Sequence, residues 1–209
     1  MSSSLTFLRE FLRNPTQLGA IAPSGAELAR LMITSAHLKP REVVVELGAG
    51  TGSMTREILR VRPRGPFVAL EPNPVLAKTL RERFPEAPID ERPAQQLRAI
   101  LQDMQLGQVD CVISSLPWAA WPQSLQDEIF DAILDVLSPQ GRLLTFGYVH
   151  AQLLPAAKRL RANLNERFML VRTTRIAWWN LPPAIVFCCG RPRERAPTQP
   201  GSPGGLRSP

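Results

Sequence analysis

The run Glu42-Val43-Val44-Val45-Glu46-Leu47 leads straight into Gly48-Ala49-Gly50-Thr51-Gly52. A short apolar run stopped by glycines predicts a buried strand, Glu42 to Leu47, feeding a tight turn. Glycines allow positive φ and let a ligand come close to the backbone. The spacing is G-x-G-x-G, whereas dinucleotide binders use G-x-G-x-x-G; Ser53 stands where their third glycine falls. Glu46, directly before the glycines, repels a pyrophosphate and suits a cationic or amino-bearing ligand. A helix is predicted over Ser53 to Val61 and a strand over Phe67 to Leu70. Glu71 then falls about twenty residues after the glycines, where an acidic residue hydrogen-bonds a ribose hydroxyl pair.

The same strand–helix rhythm continues along the chain. Ser24 and Glu27 form an S-x-x-E capping box ahead of a helix with Leu28, Leu31 and Met32 on its apolar face. Asn73 caps a helix that has Pro74 at its first position. A weak strand at Pro88 to Asp90 precedes a helix over Gln95 to Gln102. Val109 to Ser114 and Gly141 to Tyr148 are further strands, separated by a helix from near Pro122 to about Leu137. A basic helix follows over Pro155 to Leu164. Phe168 to Trp178 and Ala184 to Cys189 have no long helix between them and read as an antiparallel pair. The expected fold is α/β: a doubly wound, Rossmann-like sheet of seven strands, parallel apart from the C-terminal hairpin, with helices on both faces. Ligands of such sheets bind beyond the carboxyl ends of the strands, where all of the motifs fall.

The 209 residues fit one domain, expected over residues 1–190. From Arg191 onward Pro, Gly, Ser and Arg dominate, and residues 191–209 read as a flexible tail. Leu5, Phe7, Leu8, Phe11 and Leu12 mark an amphipathic helix before Asn14-Pro15. It suits an interfacial role or packing against the sheet. The net charge of +7 favours polyanionic partners, nucleic acid or an anionic membrane surface. Nearly all of it is Arg, with Lys39, Lys78 and Lys158 the only lysines, a bias that genomic base composition also produces. Cys111, Cys188 and Cys189 have no metal-ligand spacing, so no metal is expected, and they suit a reducing cytoplasm. No apolar stretch approaches the roughly 18 residues that cross a bilayer, so membrane contact is expected to be peripheral.

The glycine turn, Glu46 and Glu71 together resemble the cofactor motif of class I S-adenosylmethionine-dependent methyltransferases. The resemblance implies that Gly48, Gly50 and Gly52 pack against the methionine and ribose parts of S-adenosylmethionine. It implies that Glu46 lies near the ammonium end, that Glu71 holds the ribose, and that Ser24 and Ser114 are further cofactor contacts. One family element is missing: where members carry Gly-Asp-Ala after the third strand, this chain has Arg92-Pro93-Ala94, with Asp90 and Glu91 out of register. Adenine recognition is left to backbone amides or to one of those acids. Ser115-Leu116-Pro117-Trp118 resembles the [DNS]-[PL]-P-[YFW] turn of amino-group methyltransferases. That implies Ser115 positions an acceptor nitrogen and Trp118 stabilises its growing charge by cation–π attraction. Tyr148 and the loop residue His150 are candidates for the proton of the amine. The four tryptophans, Trp118, Trp121, Trp178 and Trp179, also fit as core anchors or amphipathic surface residues.

A closer resemblance rests on three stretches: Asn14 to Ser24 (NPTQLGAIAPS), Ser114 to Pro122 (SSLPWAAWP) and Trp178 to Ala184 (WWNLPPA). They are similar to the soluble bacterial phospholipid N-methyltransferases, with ornithine-lipid N-methyltransferases and rRNA adenine dimethylases as relatives. The implied function is methylation of the amine of phosphatidylethanolamine and its partly methylated forms. The implied place is the cytoplasmic, inner face of an anionic membrane, with Pro117, Trp121, Trp179, Asn180 and Pro182 lining the substrate side. The alternatives are an rRNA adenine N6-methyltransferase, and a protein that binds S-adenosylmethionine without catalysis. Nucleic acid is the less expected partner, because no separate RNA-binding domain follows the catalytic core.

Overall fold

A computed structural model describes residues 25–61 and 65–193 of the chain. The expected N-terminal helix, Ser24 with the stretch before it, and residues 194–209 lie outside the described residues. Seven strands form one sheet: β1 (Val44–Leu47), β2 (Phe67–Leu70), β3 (Ile89–Asp90), β4 (Val109–Ser114), β5 (Leu137–Tyr148), β6 (Phe168–Thr173) and β7 (Ala184–Pro192). Their order is β3-β2-β1-β4-β5-β7-β6. The first five run parallel. β7 runs antiparallel to β5, and β6 antiparallel to β7. The expected doubly wound sheet with its antiparallel hairpin is therefore the observed one.

Among the described residues, six α-helices cover the sheet: α1 (Ala26–Ala36), α2 (Ser53–Val61), α3 (Pro74–Arg83), α4 (Leu97–Asp103), α5 (Gln123–Val136) and α6 (Pro155–Arg167). Successive residues of a strand point to opposite faces. Val45 and Leu47 of β1 accordingly join Leu97 of α4, Ile129 of α5 and Leu160 of α6 in one core. Val44 joins Met32 of α1, Met54 of α2 and Leu80 of α3 in the other. All four residues of β1 and of β2 are buried, as in parallel strands covered on both sides.

Local chemistry sets most element ends. The Asn73 carboxamide oxygen accepts from the N–H groups of Val75 (3.0 Å) and Leu76 (3.3 Å), and Pro74 opens α3 as expected. The N-cap of α1 is Gly25, without a side-chain cap, and the Ser24 half of the expected capping box lies outside the described residues. Glu27 is engaged elsewhere, accepting from the backbone N–H of Trp179 at 2.7 Å. β5 starts at Leu137, earlier than Gly141, because Val109 pairs with Leu137 before a register shift lets Cys111 pair with Arg142. A side chain at Gly141 would meet Leu137 Cγ at 2.6 Å, so the irregular start of β5 needs a glycine there. β7 continues past Cys189, and Phe168 pairs with Pro192, so the sheet takes Arg191 and Pro192 from the segment read as tail.

Phe130 is fully buried in α5 and stacks on Trp118, ring centroids 4.3 Å apart. Phe130→Ala should lower the unfolding free energy by roughly 3–5 kcal/mol, the usual cost of truncating a buried phenylalanine. Urea unfolding followed by circular dichroism measures it; a change under 1 kcal/mol would show that this stack is not part of the packed core.

Candidate active site

The strand order reverses direction between β1 and β4, which opens a crevice beyond their carboxyl ends. The glycine turn fills one side of it. The N–H groups of Gly48 and Ala49 both donate to the Leu70 carbonyl, at 2.9 and 3.1 Å, folding the turn over the end of β2. Gly48, Gly50 and Gly52 all have positive φ (76°, 57° and 84°). Two of them are also required by space. A Cβ on Gly48 would lie 3.0 Å from Leu116 Cδ2, and one on Gly52 would lie 2.5 Å from Phe84 Cε2. Gly48 thus lets the turn after β4 approach the turn after β1, and Gly52 lets α2 begin against α3.

Glu71 is the clasp of this turn. One carboxylate oxygen accepts from the Gly50 N–H at 2.7 Å, the other from the Asn73 N–H at 3.0 Å. Each oxygen retains a lone pair for a further donor. Burial pushes the carboxyl above its usual range, against the opposing pull of those two N–H groups. Glu46 is fully buried. One of its oxygens accepts from the Thr55 hydroxyl at 2.8 Å, and the other has no hydrogen-bond partner. Burial, with a contribution from the nearby charge of Glu71, raises its pKa to about 8. Two carboxyl groups that resist ionisation alone are favourably placed for a cation, which restores the charged form of each.

The neighbouring acids are occupied. Asp90 grips Arg92, with Nη2 2.7 Å from the carboxylate, and Arg92 also reaches Asp103 at 2.5 Å. Glu91 pairs with Arg81 at 2.6 Å. Both acids are thus held in ion pairs with arginines. The short helical turn after β3 holds a residue that the motif reading passed over: both polar atoms of the Gln95 side chain are buried without a partner. Its signal in the sequence was its place directly after Ala94, the retained end of the Gly-Asp-Ala pattern. The Ser115 hydroxyl is likewise buried without a partner. Buried polar groups in folded proteins are normally satisfied, so these groups call for donors and acceptors from a bound molecule.

The turn after β4 is aligned with β1 by the Ser115 N–H, which donates to the Leu47 carbonyl at 2.9 Å. The Ser114 hydroxyl accepts from the Leu116 N–H at 3.3 Å and shapes the turn from within. Pro117 is half-buried and leads into a helical turn, Trp118–Ala120, which rolls the first tryptophan under α5. Trp118 is 2% exposed, stacks on Phe130, and donates its indole N–H to Thr145 at 3.0 Å. Trp121 is also buried, edge-on to Trp118 at 6.2 Å. The expectations that Trp118 lies beside an acceptor nitrogen and that Trp121 lines the substrate side give way to the alternative reading of core anchors: both rings pack beneath the turn.

The loop between β6 and β7 is clamped at both ends. Asn180 is buried; its oxygen accepts from the Gly25 N–H at 2.7 Å and its amide donates to the Pro182 carbonyl at 2.6 Å. Both of its polar atoms are thus engaged within the protein, and the expected substrate contact becomes a positioning role. Pro182 is half-buried beside it, while the Trp179 side chain is 88% exposed and points to solvent. Among the described residues, no group of three His, Cys, Asp or Glu side chains gathers to hold a metal.

A family profile described as a methyltransferase domain matches residues 45–143, from the middle of β1 into β5. The ornithine lipid N-methyltransferase of Singulisphaera acidiphila is 33% identical over 198 residues, spanning 93% of this chain and 99% of that protein. The chain belongs to the class I S-adenosylmethionine-dependent methyltransferases. The ribosomal RNA small subunit methyltransferase A of Thermotoga neapolitana matches a shorter part: 35% identity over 83 residues, 39% of this chain and 31% of that protein. Among solved structures, magnesium protoporphyrin IX methyltransferase from Synechocystis with bound S-adenosylmethionine covers 91% of this chain and 98% of its own, with a TM-score of 0.60 and 10% identity. That likeness is one of fold.

The methyltransferase therefore uses S-adenosylmethionine, and the residues at this edge fit it. Glu46 would lie near the ammonium end of the cofactor and Glu71 would accept from its ribose hydroxyls, while a Cβ on Gly50 would meet only the Gly48 carbonyl, at 3.9 Å, so the turn is open there. Tyr148 ends β5, half-buried, edge-on to Phe146 at 5.7 Å and stacked on His150 at 5.9 Å. Burial pushes its phenol up, so at neutral pH it stays protonated. In that form the phenol is a hydrogen-bonding group at this edge.

In the cofactor-free methyltransferase, the raised Glu46 pKa carries a stability signature. The unfolded chain ionises near 4.5 and the folded protein near 8, so the Glu46 contribution to stability falls as pH rises between those values and then levels off. The slope approaches about 1.4 kcal/mol per pH unit inside that window. Glu46→Gln should remove it, so that the variant gains on the parent from pH 5 to pH 8. Denaturant unfolding across that range tests this; parallel curves would show that Glu46 is ionised in the folded protein.

Proposed function

We propose that this methyltransferase acts on the amine of a membrane-lipid headgroup, phosphatidylethanolamine and its partly methylated forms, at the inner, cytoplasmic face of an anionic membrane. The observation that carries the reading is the match to a lipid N-methyltransferase over 99% of that protein's length, against about a third for the rRNA enzyme. Among the described residues no helix is long and apolar enough to cross a membrane, so the substrate is met at the surface.

S-adenosylmethionine supplies a methyl group on a positively charged sulfur. The protein supplies alignment, which is most of what a displacement of this kind needs. Glu71 and the glycine turn fix one reactant, and the Ser115–Pro117 turn approaches it across Gly48. A lipid amine arrives as an ammonium, with a lysine-like pKa of ~10.4. Withdrawal from water favours its neutral form, with the proton released to solvent as the headgroup enters, and the unpartnered Ser115 hydroxyl would accept a hydrogen bond from the nitrogen and so orient its lone pair. No residue at this edge is required to form a covalent intermediate.

The test is radiolabelled methyl incorporation by one enzyme preparation into phosphatidylethanolamine vesicles, ornithine lipid vesicles and rRNA. Label in the lipid amine is expected, and Ser115→Ala should lower kcat roughly three- to tenfold, the worth of one hydrogen bond. Label in rRNA adenines with none in lipid would reverse the reading.

A further inference from the structure

The loops of the sheet edge that bears the site carry an unusual surface. Leu153 and Leu154, after β5, are 82% and 55% exposed. Trp178, Trp179 and Leu181, before β7, are 63%, 88% and 80% exposed. The two loops adjoin. Tyr148 pairs with Ala184 at the end of the β5–β7 ladder, and the Val149 N–H donates to the Pro183 carbonyl at 2.8 Å. The two loops that carry these five side chains are therefore neighbours at this edge; of the other exposed large apolar residues, Val61 and Val75 lie on α2 and α3, and Met169 and Leu170 lie at the start of β6, the end of the hairpin away from this edge. The clamps described above hold the rim open: Asn180 is spent on Gly25 and Pro182, and the Trp179 backbone on Glu27, so neither indole is drawn inward.

Basic side chains outnumber acids around the rim, where Glu27 touches the loop through the Trp179 N–H. From Val149 to Arg193 the sequence holds eight Lys and Arg residues, and Glu166 is its one acid. Lys158 and Arg159 are exposed in the first turns of α6, immediately after Leu154. Arg175 is exposed between β6 and Trp178. Glu166 sits at the far end of α6, away from this edge.

We propose that this rim is a membrane-docking surface: Leu153, Leu154, Trp178, Trp179 and Leu181 insert at the headgroup–acyl boundary of an anionic bilayer, while Lys158, Arg159 and Arg175 meet its phosphates. The proposal rests on the lipid reading above and deepens it, because it brings the mouth of the site down onto the surface that bears the substrate. Tryptophan is the residue best suited to a membrane interface, and basic residues near an anionic leaflet add attraction that salt screens. The three leucines separate this partner from RNA. Aromatic rings and arginines stack on bases, but exposed aliphatic side chains gain nothing from a phosphate backbone and gain burial from acyl chains.

The experiment uses the full chain and vesicles of phosphatidylglycerol and phosphatidylcholine, followed by co-sedimentation. The parent should bind, with affinity falling as salt rises. Leu153→Ser/Leu154→Ser/Trp178→Ser should bind at least tenfold more weakly, while S-adenosylhomocysteine affinity and methylation of monodisperse dihexanoyl phosphatidylethanolamine stay at parental levels. Methylation of vesicle phosphatidylethanolamine should drop with vesicle binding. Equal vesicle binding by parent and variant overturns the proposal, as does parental binding to an RNA oligonucleotide with none to vesicles. Iodide quenching of the vesicle-free parent that matches the triple variant also overturns it, since Trp178 is then covered by another part of the chain. A parent that binds vesicles through this rim but leaves dihexanoyl phosphatidylethanolamine unmethylated sinks the substrate reading and leaves the docking surface standing.

Discussion

The Glu71 carboxylate ties the glycine turn after β1 to the start of α3. Through Gly50 it holds the glycine turn, and through Asn73 it holds the residue that caps α3. The turn can accept that geometry only because its glycines sit at positive φ, and Gly52 in addition leaves room for Phe84 and Leu80 of the α3 end. The Gly48 and Ala49 N–H groups close the same loop onto β2. The carboxyl ends of β1 and β2 thus become a preorganised polar edge inside a core that is otherwise dry. Loss of the carboxylate would leave two buried N–H groups without a partner, each a cost of ~1–3 kcal/mol.

A second clasp works at the other side of the crevice. Asn180 and Glu27 tie the β6–β7 loop to the start of α1. Gly25 is needed there, since a Cβ would lie 2.9 Å from the Asn180 carboxamide oxygen. Under the proposed function the two clasps divide the labour: one would shape the surface that receives the methyl donor, the other would fix the loop that rims the acceptor side. Both use backbone N–H groups at helix starts, where the unpaired donors of a first turn are available.

Much of this was legible in the sequence, and the reasons for the remainder are physical. The G-x-G-x-G turn, the acid ending β2 and the Asn73-Pro74 cap are local, because a few adjacent residues determine their geometry. Trp118 was not legible, since its direction depends on a helical turn after Pro117 and on Phe130, which comes from a different element. A motif gives the order of residues around a turn and not which of them the turn rolls into the core. Asn180 was misread for a similar reason: its partner Gly25 lies 155 residues away in the chain. The early start of β5 at Leu137 depends on a register shift opposite β4 that no periodicity marks. Gln95 escaped notice because its significance is the absence of a partner, which only packing reveals.

The central claim is that the Glu71–Gly50 clasp forms the S-adenosylmethionine site of this methyltransferase. Titration calorimetry with S-adenosylhomocysteine, on the parent and on Glu71→Ala, tests it most directly. The parent should bind one equivalent, and the variant should bind roughly ten- to a hundredfold more weakly, the loss of charge-assisted hydrogen bonds worth ~1.5–3 kcal/mol. A folded Glu71→Ala variant with parental affinity would contradict the claim and move the cofactor away from this edge of the sheet.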